Sequence, residues 1–185
     1  MYIFVIIWIC WLLSEIVLNR LLRSKTSASK NYDKSSLRFM WISIIVSISV
    51  AVAVMIYIYA PLSGSHFIGY SGILLIVSGA IIRFTAIRTL GKFFTVDLAL
   101  HDGQRLVKDG LYKYLRHPSY TGSLLSFIGL GVSFNNWISL LVLIIPILAS
   151  FLYRINTEER LMIERFGSEY GEYKKVTKRL IPFIY

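Results

Sequence analysis

Cysteine, histidine and acidic residues are all scarce in this chain of 185 residues. There is one cysteine, Cys10, and there are three histidines and ten Asp and Glu residues against twenty Lys and Arg. A single cysteine excludes an internal disulfide and a cysteine-rich metal site. No His-x-His pair occurs, and His66 and His117 are predicted on opposite sides of the molecule. Since Glu158-Glu159 alone does not form a metal site, the sequence predicts none.

Apolar residues are abundant, at 56% of the chain, and the formal net charge is +10. Such a charge could indicate nucleic-acid binding, but the basic residues cluster in loops beside long apolar runs. That placement is typical of orientation in a membrane and of contact with anionic lipid. We therefore expect membrane lipid, and no nucleic acid, as a partner.

Five apolar runs predict an all-α integral membrane protein with five transmembrane helices. The first three are long enough for a span of about 20 residues, and the last two are shorter. No basic residue precedes the first run and no small-residue cleavage site follows it, so we interpret it as a retained span. The runs cover residues 2–20, 39–60, 66–87, 120–134 and 137–153.

The last two runs are joined only by Asn135-Asn136. This short polar connection favours an antiparallel helical hairpin, in which Gly129 and Gly131 would allow close approach of the backbones. Because each arm is short, a re-entrant pair that dips into the membrane and returns is the alternative.

The loop charges predict the orientation. Six basic residues follow the first span, six follow the third and six lie in the tail, whereas residues 61–65 and 135–136 carry none. This alternation places the N-terminus outside and the C-terminus in the cytoplasm. The membrane would be the plasma membrane in a prokaryote or the endoplasmic reticulum in a eukaryote.

Two segments are polar enough to fold outside lipid. In 91–119, Asp102-Gly103 and Asp109-Gly110 are turn signals around Leu106-Val107, which predicts a short extended or hairpin-like segment at the cytoplasmic mouth. The tail has good helix formers from Arg154 through Glu164, with expected breaks near Gly167 and Gly171. Its apolar end, 181–185, would either fold over a pocket or anchor the chain at the interface.

Arg154 and Glu158 would lie one turn apart on one helix face, with Glu159 rotated away by about 100°. They form either an ordinary ion pair or two opposite charges directed at two ligands, one cationic and one anionic. Two further charged residues, Glu15 and Arg83, lie deepest in the spans. We expect their side chains to lie along the apolar surface so that the charged groups reach the cytoplasmic interface.

His117-Pro118 predicts a helix start, because proline is tolerated in the first turn and disfavours helix at the preceding residue. Ser119 and Tyr120 would then lie in the first turn, where free N–H groups favour an anion. The alternative for His117 is an ordinary hydrogen-bonded cap. A serine hydrolase is disfavoured, since no nucleophile-elbow motif surrounds Ser119.

Together these features resemble the isoprenylcysteine carboxyl methyltransferase family and, more loosely, the phospholipid N-methyltransferases. The resemblance covers roughly the last 95 residues, so it divides the chain into a three-span membrane region, 1–90, and a catalytic region, 91–185. It is carried by the hairpin and by four motifs: Arg116-His-Pro-Ser-Tyr-x-Gly122, Arg154-x-x-x-Glu158-Glu159, Phe166-Gly-x-x-Tyr170-x-x-Tyr173 and Ile181-Pro-Phe-Ile184.

The resemblance implies that S-adenosylmethionine binds in a cytoplasmic pocket formed by 91–119 and the C-terminal helix, leaving S-adenosylhomocysteine as product. A lipophilic substrate would enter from the bilayer, with its carboxylate near Arg154. The cofactor residues implied by position are Gln104, Arg105, Leu106, Val107, Tyr112, His117, Pro118, Ser119, Tyr120, Glu158 and Glu159.

The predicted function is methyl transfer to the carboxylate of a prenylated cysteine at the membrane–cytoplasm interface, by a protein expected to be a monomer. One alternative is a sterol-type reductase, because such enzymes carry a similar His-Pro-x-Tyr-x-Gly segment; paired glutamates argue against its phosphorylated cofactor, NADPH. The other is a scaffold or transporter, although transporters place polar groups near the midplane and often show repeated halves.

Overall fold

A computed structural model describes residues 2–21, 31–65, 67–91, 94 and 105–181. In these ranges the chain is helical, with a single isolated β-bridge. Gln104, Asp102-Gly103, His66 and residues 182–185 lie outside the described residues. The helices are α1 (Tyr2–Leu21), α2 (Asn31–Tyr57), α3 (Ile68–Leu90), a 3-10 turn (Gly110–Lys113), α4 (Pro118–Ser133), α5 (Trp137–Phe166) and α6 (Ser168–Val176).

Four of the described helices, α1, α2, α3 and α5, are long and apolar enough to cross a membrane. In each of them most residues of the apolar window face outward rather than into the protein. A soluble protein could not leave so much apolar helix surface unpaired, whereas lipid solvates it. The chain is therefore an integral membrane protein. At 16 residues, α4 is shorter than a usual span of about 20 residues.

Glycines join α3 to α4 along an antiparallel contact. A Cβ at Gly72 would collide with the carbonyl oxygen of Gly129, and one at Gly79 with that of Gly122. Gly131 instead faces Leu140 of α5. Close helix packing at Gly129 and Gly131 is therefore confirmed, but the main partner of α4 is α3 rather than α5, because matched glycines seven residues apart allow the two backbones to touch.

The two short loops at one end of the bundle are tied together by amides. The Asn135 side chain exchanges two hydrogen bonds with the backbone of Ser63, at 2.9 and 3.0 Å. Asn136 donates to the carbonyl of Ile58 at 2.6 Å and caps α5 by accepting from the N–H of Ser139 at 3.0 Å. These bonds supply partners for backbone groups that the helix ends leave open.

At the other end, which we call the basic end, α1, α3 and α5 finish while α2 and α4 begin. The C-terminal segment pairs with the chain before α4 through a parallel bridge between Leu115 and Lys178. Arg116 N–H donates to the Lys178 carbonyl at 2.7 Å, and Thr121 Oγ1 donates to the Leu180 carbonyl at 2.7 Å. The C-terminal segment is thus fixed beside the start of α4.

The helix boundaries in the second half follow the sequence closely, with one exception. The helix that begins at Pro118 and the continuation of α5 through Glu164 are both confirmed. Gly167 ends α5 with φ +53°, a conformation that favours glycine. The break expected at Gly171 is wrong, because that residue lies inside α6, where the packing of Tyr170 and Tyr173 stabilises the helix.

Candidate functional site

A cavity of about 380 Å³ lies at the basic end of the bundle. Its walls come from every described helix and from the segment before α4. One part is apolar and lies between α1 and α2, and the other is charged and lies between α3, α4, α5 and α6. The charged and polar lining residues are Glu15, Asn19, Ser49, Arg83, Arg105, Arg116, His117, Ser119, Ser123, Arg154 and Glu158.

The start of α4 forms one wall of the charged part. Pro118 is the first helical residue, so His117 precedes the helix with φ −128° and ψ 55°. His117 and Ser119 are buried, with 5% and 7% of their surfaces exposed. The Tyr120 ring meets the His117 ring edge-on at 5.9 Å and the Phe151 ring at 5.3 Å. This packing fixes the first turn of α4 against α5.

Arg154 connects α5 to α2 beside the cavity. It is 1% exposed, and its Nη1 donates to Ser36 Oγ at 2.8 Å. Its guanidinium also lies within hydrogen-bonding reach of the Tyr120 hydroxyl. A buried guanidinium is retained only with polar partners. Arg154 is therefore held in one place while it still lines the cavity.

Glu158 faces the same cavity one turn further along α5, as the spacing predicted. Its side chain is 24% exposed, and Oε2 lies 3.9 Å from His117 Nδ1. A partly exposed carboxylate beside a buried imidazole is available for a cationic or hydroxyl-bearing ligand. The cavity thus presents one cation and one anion from the same face of α5.

Glu159 points away from the cavity into a cluster of cations. Its oxygens lie 2.8 Å from Arg116 Nε, 2.9 Å from Arg179 Nη2 and 3.6 Å from Lys174 Nζ. His117 Nε2 lies 3.4 Å away. The carboxylate is 4% exposed, so its charge is balanced inside the protein. This cluster joins α5 to the start of α4 and to the C-terminal segment.

Arg116 completes the same junction through its second nitrogen. Arg116 Nη1 donates to the carbonyl oxygens of Lys174, at 3.2 Å, and of Thr177. Guanidinium presents several donors in a fixed fork, which suits it to bridging a carboxylate and backbone carbonyls at once. The segment after α6 is therefore part of the scaffold of the site.

Glu15 and Arg83 pair with each other across the cavity wall. Arg83 Nε lies 2.9 Å from Glu15 Oε2, and the two side chains are 15% and 13% exposed. Arg83 Nη1 donates to Ser119 Oγ at 2.9 Å. The two charges that were expected to reach the cytoplasmic interface therefore pair with each other, because a charge among apolar helices is better satisfied by an opposite charge within reach.

Three tyrosines from the second half of the chain border the charged part of the cavity. Tyr112, Tyr170 and Tyr173 line the cavity, and Tyr173 OH donates to the Tyr112 carbonyl at 2.7 Å. Burial raises the pKa of Tyr173 to about 12. Its hydroxyl therefore remains a hydrogen-bond donor at neutral pH, and it fixes α6 against the 3-10 turn.

Most of the residues predicted to bind cofactor or substrate meet at this cavity. Gln104 lies outside the described residues. Pro118 is buried beneath the helix start, and Glu159 faces the cation cluster, so neither is among the lining residues. Ser36, the Glu15–Arg83 pair and Tyr170 were not predicted as site residues. Those that line the cavity are Arg105, Leu106, Val107, Tyr112, His117, Ser119, Tyr120, Arg154 and Glu158.

Fold and site define a multi-helix membrane protein that contains a cavity with a charged part and an apolar part. The isoprenylcysteine carboxyl methyltransferase family model matches residues 72–164, which is half of the chain. The matched range includes α4, most of α5 and the segment between α3 and α4. The chain belongs to the isoprenylcysteine carboxyl methyltransferase family.

Relatives of this chain carry names from the same family. A probable protein-S-isoprenylcysteine O-methyltransferase of Oryza sativa is 33% identical over 120 residues, which are 64% of this chain and 63% of the rice protein. The protein-S-isoprenylcysteine O-methyltransferase of Saccharomyces cerevisiae is 38% identical over 115 residues, covering 61% of this chain and 48% of the yeast protein. The chain thus spans less than two thirds of these relatives.

A solved structure shares the fold. It is a eukaryotic intramembrane Ras methyltransferase, an isoprenylcysteine carboxyl methyltransferase, and it is 27% identical with a TM-score of 0.57. The match covers 86% of this chain and 55% of the solved chain. It therefore extends beyond the range of the family model into the first helices.

Proposed function

We propose that this protein transfers a methyl group from S-adenosylmethionine to the carboxylate of a prenylated cysteine. One observation carries the proposal: Arg154 and Glu158, one turn apart on α5, line a single cavity whose other part is apolar. An arginine suits a substrate carboxylate, a glutamate suits a cationic cofactor, and the apolar part suits a prenyl chain. Membership of the family supports the same reaction.

The residues present fit the cofactor. Glu158 would bind its ammonium group or ribose hydroxyls, and His117, Ser119 and Arg105 lie where its carboxylate could be bound, beside the start of α4. Tyr112, Tyr170 and Phe166 add aromatic surface, which favours an adenine ring and a sulfonium cation. When bound, S-adenosylmethionine supplies an electrophilic methyl group to a carboxylate oxygen.

The apolar part of the cavity fits a prenyl chain that arrives from the bilayer. Leu12 and Ile16 line it from α1, and Met40, Trp41, Ile44, Ile45 and Ile48 line it from α2. These spacings of three and four residues place each set on one helix face. Ile16 and Ile45 are 41% and 61% exposed, so the cavity opens between α1 and α2 on a surface that lipid covers.

The protein side chains would assist the reaction mainly by positioning the substrate and the cofactor. The carboxylate is already a nucleophile, so no residue has to remove a proton. Arg154 would orient one carboxylate oxygen, while the aromatic walls exclude water that would otherwise solvate the anion. Arg154 is held by Ser36, so it would enter the reaction without reorganisation.

The proposal includes the orientation and the depth of the site. Five spans, with α4 as the fourth, would place the N-terminus outside and the cavity at the cytoplasmic face. The loop charges support this arrangement. The lipid-facing walls then come from α1 and α2 of the three-span region, residues 1–90, and most of the cofactor-facing walls come from residues 91–185.

The test uses the purified full chain in detergent. We expect calorimetric binding of S-adenosylhomocysteine but not of NADPH, and labelled methyl transfer to a farnesylated cysteine derivative. The same derivative with its carboxylate converted to an amide is the matched control and should not accept methyl. Binding of NADPH alone would indicate the reductase alternative. Binding of neither would favour a scaffold or transporter.

A further inference from the structure

The Glu15–Arg83 pair lies in the wall where the apolar and charged parts of the cavity meet. Both side chains line the cavity, and both come from helices that match a membrane span. Arg83 Nη1 also contacts the carbonyl of Ser119 at 3.4 Å, besides the hydroxyl of that residue. A single guanidinium therefore connects α1 to the first turn of α4.

This pair joins the cavity wall of α1 to the rest of the site. Nearer the N-terminus, α1 is held by ring contacts, with Trp8 against Phe134 at 5.0 Å and Trp11 against Phe127 at 5.0 Å. From Leu12 onward α1 forms cavity wall, and the Glu15 carboxylate is its salt bridge to α3. The pair therefore sets how far this wall lies from the start of α4.

Stability alone is a poor reason for such a pair. Removing two charges from water costs several kcal/mol per ion, and apolar replacements of the same volume are often as stable. Ionisable residues within membrane spans more often serve a functional site. Here both charges border the cavity rather than the lipid-facing surface, which directs the explanation to the substrate.

We propose that Glu15 is a positioning residue for the lipid substrate and acts through Arg83. By fixing α1 against the start of α4, it keeps the prenyl-binding wall at the distance that brings the substrate carboxylate to Arg154. Glu15 takes no part in the methyl transfer. The hydrogen bond from Arg83 to Ser119 does not involve Glu15, so we expect the cofactor-facing residues to keep their positions without it. The inference rests on the proposed function.

The experiment compares steady-state kinetics of the wild type and Glu15→Gln on the farnesylated cysteine derivative. Glutamine keeps the volume of the side chain but removes the charge that faces Arg83. We expect KM for the lipid substrate to rise at least about fivefold, within the range of contacts that act as a unit. The kcat and the affinity for S-adenosylhomocysteine should stay within about twofold. A purely structural role would lower kcat and cofactor affinity as well.

The control is Glu172→Gln, which removes an exposed ion pair with Lys175, 2.7 Å apart in α6, and should leave KM unchanged. If Glu15→Gln does not fold, Glu15→Asp is tested in its place, because aspartate keeps the charge on a side chain that is one methylene shorter. The KM of Glu15→Asp for the lipid substrate should rise at least about twofold. An active wild type with an unchanged KM in the folded variant would overturn this inference alone. An inactive wild type would overturn the proposed function and the inference with it.

Discussion

Glu158 and Glu159 are neighbours in the chain but face different parts of the molecule. A rotation of about 100° per residue separates them, so one carboxylate borders the cavity and the other lies among Arg116, Lys174 and Arg179. The spacing of Arg154, Glu158 and Glu159 predicts this divergence. The cation cluster itself could not be predicted, because its members come from segments far apart in the sequence.

Substitutions at Arg154 and Glu158 should separate substrate positioning from cofactor binding. Glu158→Gln should weaken binding of S-adenosylhomocysteine by about 1–3 kcal/mol, because a charge-assisted hydrogen bond is lost. Arg154→Ala should reduce turnover severely while cofactor affinity stays nearly unchanged. Arg154→Lys should restore little of the turnover, because lysine lacks the planar guanidinium that binds a carboxylate through two hydrogen bonds. Calorimetry and the methylation assay measure the two effects.

A matched control for these variants is Glu169→Gln, which removes an exposed carboxylate paired with Lys108 at 2.8 Å outside the cavity. It should change neither the affinity for S-adenosylhomocysteine nor the turnover. If Arg154→Ala methylated normally in folded protein, another basic residue would hold the substrate, with Arg116 as the next candidate among the lining residues.

Ser36 shows where a sequence stops being informative about a site. Its hydroxyl accepts the Arg154 Nη1 donor at 2.8 Å across 118 residues of chain, and it is 1% exposed. A serine beside Ser35 near the start of an apolar run carries no periodic or motif signal. Only the packing of α2 against α5 makes it a partner of the buried guanidinium.

Among the elements, α4 and α5 were the most predictable. His117-Pro118 marks the start of α4, and Asn136 marks the start of α5 by capping it. Both signals are local, which is why the sequence reveals them. The pairing of α4 with α3 was not predicted, because the short Asn135-Asn136 joint favoured α5. The decisive residues, Gly72 and Gly79, lie about 50 residues earlier.

The glycine contact predicts a specific loss of stability. In Gly79→Ala the added methyl group would collide with the Gly122 carbonyl and the Ser126 side chain. We expect a loss of about 1–3 kcal/mol, the usual scale of overpacking, seen as a lower melting temperature of the detergent-purified protein.

The matched variant is Gly171→Ala, since a Cβ there would meet nothing within 4 Å and the residue is also helical. Alanine favours helix over glycine by about 1 kcal/mol, so this variant should melt at the same temperature as the wild type or higher. Equal destabilisation by both substitutions would show that close α3–α4 contact is not the cause.

For the whole molecule, the alternation of loop charges predicts the topology. Residues 61–65 and 135–136 should lie outside, and the loop and tail cations should lie in the cytoplasm. Single cysteines at Ser63 and at Lys175, in a background with Cys10→Ala, can be labelled from either side of intact membranes. Ser63→Cys should react from outside and Lys175→Cys from the cytoplasm. Reaction of Ser63→Cys from the cytoplasm alone would contradict this topology.

The contact between α3 and α4 also determines where the molecule can move. The two backbones touch at Gly72–Gly129 and at Gly79–Gly122, so we expect the two helices to move together as one rigid unit. By contrast, only 6% of the apolar window of α1 is buried in the protein. We therefore expect α1 to move more than the other helices, which would widen the opening of the cavity beside α2 while the charged lining on α4 and α5 keeps its shape.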